Sequence, residues 1–239
     1  MNQSTPINKN YCALIPAYLE EKRIRGVVKN VLNFIRTVVV IDDGSSDRTS
    51  AEAAAAGATV IRHETNLGKG AALNTGFAYA ARNGYDFIIT LDADGQHAPE
   101  DIPRFIAAWE RTGAPVIVGN RMADPKGMPL IRKLTNFFMS WYLSRQLGQW
   151  VPDTQCGFRL YAAAVLPFLA TKSPRYAAES ETLLRAAAHK AIIESAPITV
   201  IYRDEKSKIR PFRDTLEFIA MVKNFKKKMK DGDKEAGSE

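Results

Sequence analysis

Short apolar runs alternate with helical segments from residue 11 onward, and this alternation limits the folds open to the chain. Residues 11–16, Val38-Val39-Val40-Ile41, Val60-Ile61, Ile88-Ile89-Thr90-Leu91 and Val116-Ile117-Val118 each read as a buried strand. Between them, Ile24, Val27, Val28, Val31, Leu32 and Ile35 recur at helical spacing, an alanine-rich stretch closes at Gly57, and Leu73, Phe77 and Ala80 share one face. Continuously apolar strands separated by amphipathic helices imply a mostly parallel sheet with helices on both faces, an α/β fold. A helix follows with Pro99, Glu100 and Asp101 in its first turn and Gly113 just past its end. The spacing then predicts a long aromatic helix over 128–149, a polar loop over 153–161, a helix about 179–190, a strand over 198–202 and an amphipathic helix over 211–230.

With 239 residues, 46% of them hydrophobic, the chain can bury the core of one large domain, expected over 1–230. Residues 231–239 are polar and read as a disordered tail. No apolar run approaches the roughly 20 residues that span a bilayer, and the polar start Met1-Asn2-Gln3-Ser4-Thr5-Pro6 lacks the order of a secretory signal. A cytoplasmic protein is therefore expected. Cys12 and Cys156 offer neither a metal spacing nor a disulfide framework. The formal charge is +7, and residues 203–230 hold ten Lys and Arg against four Asp and Glu. Such a basic segment suits an anionic membrane surface, a phosphorylated substrate or nucleic acid, but no groove-reading motif supports the last.

The ends of the strands carry the chemistry. Leu91-Asp92-Ala93-Asp94-Gly95-Gln96-His97 places two carboxylates one residue apart where a buried strand stops, a collection of hard oxygen ligands suited to a divalent cation. The second strand, Val38-Val39-Val40-Ile41, ends in Asp42-Asp43-Gly44-Ser45, and Asn66-Leu67-Gly68-Lys69-Gly70 opens a helix, where backbone amides and a lysine attract phosphate. Neither G-x-x-x-x-G-K-[ST] nor G-x-G-x-x-G is present, so a P-loop NTPase and a Rossmann dinucleotide enzyme lack their fingerprints. A calcium loop would need other residues at Gln96 and His97.

Pro16-Ala17-Tyr18-Leu19-Glu20, Val40-Ile41-Asp42-Asp43-Gly44-Ser45, Asn66-Leu67-Gly68-Lys69-Gly70 and the Asp92 motif occur in order at four strand ends. With Asp153-Thr154-Gln155-Cys156-Gly157-Phe158-Arg159, Glu179-Ser180-Glu181 and Ser207-Lys208, this series resembles the family 2 glycosyltransferases, and within them the dolichol-phosphate mannose synthase group. The resemblance implies a GT-A fold, the Rossmann-like domain of nucleotide-diphospho-sugar transferases, and a nucleotide-sugar donor such as GDP-mannose or UDP-glucose. It implies that Pro16, Tyr18 and Glu20 line the nucleoside pocket, that Ile41 and Asp43 read base and ribose, and that Lys69 lies near the nucleotide. Asp92, Asp94 and Gln96, with Ala93 between the two carboxylates, would hold Mg²⁺ or Mn²⁺ on the diphosphate.

The group transfers sugar to a polyprenyl phosphate with inversion, so the resemblance also implies an acceptor that is already ionised and needs cations to place it rather than a strong base. Arg121 matches an arginine that contacts both phosphates, and Arg132 with Asn136 matches an acceptor-phosphate pair in which the family more often has Ser. Arg203 and Lys208 would close a basic loop over the donor, although this loop lacks the usual glycine. Asp153, Gln155 and Arg159 would lie beside the sugar or tie their loop down. Action as a peripheral protein at the cytoplasmic face of a membrane is expected, through the aromatic helix around Phe137 to Tyr142, the basic C-terminal helix or a membrane-anchoring partner. Two other readings stay open on sequence alone. One is a hydroxyl acceptor, with Asp153, Glu179 or Glu181 as base; the other is a non-catalytic subunit docking on membrane or nucleic acid.

Overall fold

A computed structural model describes residues 9–171, 177–201, 215–216 and 218–227. Seven strands form one sheet: β1 (Tyr11–Ala17), β2 (Thr37–Asp42), β3 (Thr59–Arg62), β4 (Phe87–Thr90), β5 (Val116–Asn120), β6 (Arg159–Ala162) and β7 (Ile193–Pro197). Their spatial order is β3-β2-β1-β4-β6-β5-β7, and every pairing is parallel except those of β6, which runs against both β4 and β5. The helices are α1 (Ile24–Leu32), α2 (Thr49–Ala55), α3 (Lys69–Arg82), α4 (Ile102–Thr112), α5 (Leu130–Leu147) and α6 (Ala177–Ala188). A last helix, α7, covers residues 218–227.

The central strands are buried on both sides, as their unbroken apolar character requires: Cys12 to Ile15, Val38 to Ile41 and Val116 to Val118 are solvent-excluded. Two aromatic contacts show that helices cover both faces. Phe77 of α3 packs edge-on against Tyr161 at 5.3 Å between ring centroids, and Trp109 of α4 packs against Phe87 at 4.6 Å. Tyr161 lies opposite Ile88 and Phe87 opposite Ala162, so the two rings point to opposite faces of the pleat.

Two expectations are corrected. The expected polar loop over 153–161 ends in a strand, because Arg159 to Ala162 fills the gap between β4 and β5 and supplies both with backbone partners. The strand expected over 198–202 is instead β7, five residues earlier. Pro197 ends it, and the following segment leaves the sheet to cross the Asp92 loop, with a bridge between His97 and Val200 and Ile201 N–H donating to Gln96 O at 2.9 Å. On the apolar side of the C-terminal helix, Phe218 and Val222 are buried, with Phe218 packing against Tyr142 of α5 at 6.0 Å, while Leu216 is exposed. Arg203, Lys208 and the expected tail at 231–239 lie outside the described residues.

Candidate active site

Sheet order reverses direction between β1 and β4, which opens a crevice at the carboxyl ends of those strands. Leu91 N–H still donates to Leu14 O, and beyond it the chain leaves the sheet, so Asp92 and Asp94 stand at the mouth of this crevice. Lys69, the first residue of α3, reaches in from β3's side, and its Nζ donates to Asp92 Oδ1 and to Glu179 Oε1 of α6, each at 2.5 Å. Burial alone would favour a neutral Lys69, but the two carboxylates outweigh it and raise its pKa. For Asp92, likewise, burial pushes the carboxyl up while the Lys69 charge, helped by Arg121, holds it below the usual carboxylate range.

Gly157 explains how the two carboxylates come so close. A Cβ at this position would stand 2.5 Å from Glu179 Oε1 and 3.1 Å from both oxygens of Asp92. Its backbone is held in turn by Thr90 Oγ1, which donates to Gly157 O at 2.9 Å. Gly157→Ala is therefore expected to separate Asp92 from Glu179 and to cost about 1–3 kcal/mol of stability, checked by urea unfolding, together with a fall in sugar transfer. An unchanged midpoint and rate would show that the site relaxes freely around the extra methyl group.

His97 was part of the recognised motif but was assigned no role on sequence. It is buried, stacks on Phe158 at 5.2 Å, and its Nδ1 accepts the Asp92 N–H at 3.1 Å. Burial lowers its pKa, so the neutral ring that accepts this bond is the stable form. Within the turn, Gln96 N–H donates to Asp94 Oδ1 at 2.9 Å.

Arg121, just past β5, is gripped by Asp153. Its Nε and Nη2 donate to the two carboxylate oxygens at 2.7 and 2.8 Å, and its own backbone N–H donates to Oδ2 at 3.0 Å. Burial works against the Asp153 carboxylate, yet the Arg121 charge and these bonds keep it below the ordinary range. Arg159 is 1% exposed and spends its guanidinium on Cys156 O, Thr154 O, Glu179 O, Thr182 Oγ1 and Tyr161 Oη. It fastens the 154–156 loop and the start of α6 to β6. Glu181 accepts from Thr171 Oγ1 at 2.6 Å and from Arg185 Nε at 2.8 Å, and Gln155 Nε2 donates to Ser180 Oγ at 3.2 Å.

On the other side of the crevice, Pro16 lies opposite Ile41 in the sheet, Tyr18 is exposed, and Glu20 pairs with Arg23 at 2.9 Å. Asp43 accepts from the Leu67 and Gly68 amides at 2.9 and 2.7 Å and contacts His63 Nδ1 at 2.8 Å, so it anchors the loop that delivers Lys69. Gly44 is required here, with φ +74° and a Cβ position 2.5 Å from Thr65 C. Arg132 and Asn136 sit one turn apart on α5; Asn136 is buried, and Arg132 Nε is a buried donor without a partner among the described residues. Neither is hydrogen-bonded to the Asp92 cluster. Cys12 and Cys156 are free and buried, and burial pushes both thiols up to about 12, which keeps them protonated.

Asp92 and Asp94 suit a hard divalent cation. Among the described residues no group of three His, Cys, Asp or Glu side chains is gathered for a metal. Two carboxylates with one oxygen each left out of the hydrogen bonds above fit an ion whose remaining ligands come from a diphosphate and water.

The glycosyl transferase family 2 model matches residues 12–167. The chain is 35% identical over 214 residues to UDP-N-acetylglucosamine–dolichyl-phosphate N-acetylglucosaminyltransferase of Methanococcus voltae, covering 80% of this chain and 85% of that one. It is 30% identical to polyprenol monophosphomannose synthase of Mycolicibacterium smegmatis, covering 80% and 77%. Among solved structures, glucosyl-3-phosphoglycerate synthase from Mycobacterium tuberculosis with UDP aligns at a TM-score of 0.69 and 20% identity, over 90% of this chain and 79% of that one. The same enzyme with Mn²⁺, UDP and phosphoglyceric acid aligns at 0.67 and 20% identity, over 90% and 78%. By the family match and these relatives the chain belongs to glycosyl transferase family 2 and is a glycosyltransferase with the GT-A fold.

Proposed function

We propose that this protein transfers a hexose from a nucleoside diphosphate sugar to a polyprenyl phosphate at a membrane surface, with inversion at the anomeric carbon. The observation that carries the choice of acceptor is the state of the three carboxylates placed to act as a base. Asp153 is locked on Arg121, Glu179 on Lys69 and Glu181 on Arg185. A hydroxyl acceptor needs a carboxylate to take its proton, whereas an ionised phosphate brings its own nucleophilic oxygen. The acceptors in the names of the Methanococcus and Mycolicibacterium relatives support the same choice.

In this reading the acceptor oxygen attacks the anomeric carbon, the bond from that carbon to the diphosphate breaks, and the nucleoside diphosphate leaves. Asp92 and Asp94, with Gln96, would hold Mg²⁺ or Mn²⁺, which offsets the charge gathering on the leaving diphosphate. Lys69 adds a fixed positive charge at the same end of the crevice, and Arg121 is oriented by Asp153 before substrate arrives, so little reorganisation is needed. Arg132 Nε, without a partner among the described residues, offers a donor to the acceptor phosphate.

The test is transfer of radiolabelled sugar from a panel of GDP- and UDP-sugars to short polyprenyl phosphate, with and without divalent cation. Metal-dependent label in the lipid is the expected result; label appearing only on a saccharide or protein hydroxyl would overturn it. The rate should rise through the acceptor's second ionisation, near about pH 6, and then stay flat to pH 9. A second rising limb at higher pH would reveal a protein base and return Glu179 or Asp153 to that role.

A further inference from the structure

α3 enters the crevice from a turn that the helix does not hold by itself. Gly68, its N-terminal cap, lies at φ +92° and offers no side chain to the amides of the first turn. The two amides that precede the helix are held from another element. Asp43, just past β2, accepts the Leu67 N–H on Oδ1 at 2.9 Å and the Gly68 N–H on Oδ2 at 2.7 Å. His63, just past β3, holds that carboxylate in its turn: Nδ1 lies 2.8 Å from Asp43 Oδ1, and Nε2 lies 2.9 Å from Thr75 Oγ1 within α3. An ionised carboxylate only accepts, so the proton of the neutral ring sits on Nδ1 and Nε2 accepts the Thr75 hydroxyl. The backbone behind the ring is fixed as well, because the His63 N–H donates to Asp42 O at 2.9 Å and continues the β2–β3 pairing.

We infer that His63 is a positioning residue for the sugar donor, acting through Asp43 on the turn that carries Lys69 to the diphosphate. It rests on the donor proposed above, a nucleoside diphosphate sugar, for the group that Lys69 meets. Hydroxyl, imidazole and carboxylate form one strut from the body of α3 to the turn before it. Helix and entry are thereby set against the same corner of the sheet, where β2 and β3 end. Lys69 follows directly on the held amides, and its Nζ reaches Asp92 Oδ1 and Glu179 Oε1, both at 2.5 Å. A shift of about 1 Å in its backbone takes the ammonium out of hydrogen-bond range of one carboxylate or the other, and misplacements of this size are costly in a site that works by orientation. The imidazole is sequestered at this corner, with 10% of its side chain exposed. Without it, Asp43 keeps its charge and its two amides but loses the bond that fixes the plane of its carboxylate.

Two readouts separate this role from a general contribution to stability. Backbone amide exchange, followed by mass spectrometry on the nucleotide-free protein, should show residues 65–70 of His63→Ala exchanging roughly tenfold faster, while residues 76–82 and β1 stay as protected as in wild type. His63→Asn, whose amide nitrogen can stand in for Nδ1, should restore the slow exchange. Dissociation constants for UDP and GDP with Mn²⁺ give the second readout. His63→Ala should weaken the nucleotide that wild type binds by roughly fivefold, and this loss should vanish in a Lys69→Met background, because the histidine acts through that ammonium. Equal weakening in both backgrounds, or exchange that rises uniformly along the chain or not at all, would overturn the positioning role. Should His63→Ala not fold, Thr75→Val, which removes only the far hydroxyl of the strut, is measured in its place; a smaller rise confined to residues 65–70 supports the strut, and unchanged exchange there overturns it. Wild type that binds neither UDP nor GDP would instead strike the proposed donor, and the exchange pattern would still decide the strut.

Discussion

Asp94→Ala is expected to lower sugar transfer by roughly a thousandfold or more while leaving the fold in place. The reason for choosing Asp94 over Asp92 is structural. Asp92 is tied to Lys69, and its removal would leave a half-buried ammonium facing Glu179 alone, so lost activity would be confounded with a disturbed site. Asp94 is only partly buried and holds the Gln96 amide, a bond worth about 1 kcal/mol. The loss should therefore fall on metal-assisted departure of the diphosphate. Two measurements check it: the transfer rate, and the binding of Mn²⁺ in the presence of nucleoside diphosphate, followed by electron paramagnetic resonance. A variant that still turns over after chelation of divalent ions would remove the D-x-D pair from the chemistry.

Asp153→Ala should be the most damaging single substitution for stability, at roughly 3–5 kcal/mol, because it strands the Arg121 charge away from water. Asp153 is fully buried and accepts three bonds from Arg121, backbone included, so no nearby group can replace it. Urea unfolding measures the cost, and a change below about 1 kcal/mol would mean that the pair behaves as a solvated one. The double variant Arg121→Met with Asp153→Leu should recover much of the stability without recovering transfer, which separates the structural role of the pair from its catalytic one. The pair also carries a pH signature. Asp153 has a folded-state pKa below its unfolded value of about 3.9, so its contribution is fully present above that value and is lost as pH falls through the depressed one. Below about pH 4 the wild type should lose stability more steeply than the double variant does.

The elements that announced themselves in the sequence are those whose signal is local. Val38 to Ile41 is apolar without interruption because it is buried on both faces, and Gly113 follows the α4 helix because its φ of +67° favours glycine. The Asp92-Ala93-Asp94 turn was legible for the same reason, since a strand end and its ligands are consecutive in the chain. β6 was not: Arg159, Tyr161 and the polar residues before them resemble a loop until β4 and β5 are placed on either side. Its guanidinium, buried by five acceptors drawn from three segments, has no signature in the chain at all.

Sequence alone thus determined the alternating α/β architecture, the family and the order of motifs along the strand ends, because periodicity and short motifs are properties of neighbouring residues. Only the tertiary structure decided what each charged group is engaged with. Lys69 meets Glu179 across 110 positions, Arg121 meets Asp153 across 32, and Gly157 lets Asp92 and Glu179 approach without sharing any stretch of chain with either. It also decided which parts of the two amphipathic helices are buried: Phe218 and Val222 of α7 pack into the core, whereas Leu134 and Phe137 of α5 are exposed. The physical reason is common to both: a buried charge or an apolar stripe takes its role from what packs against it, and packing joins residues that the chain keeps far apart.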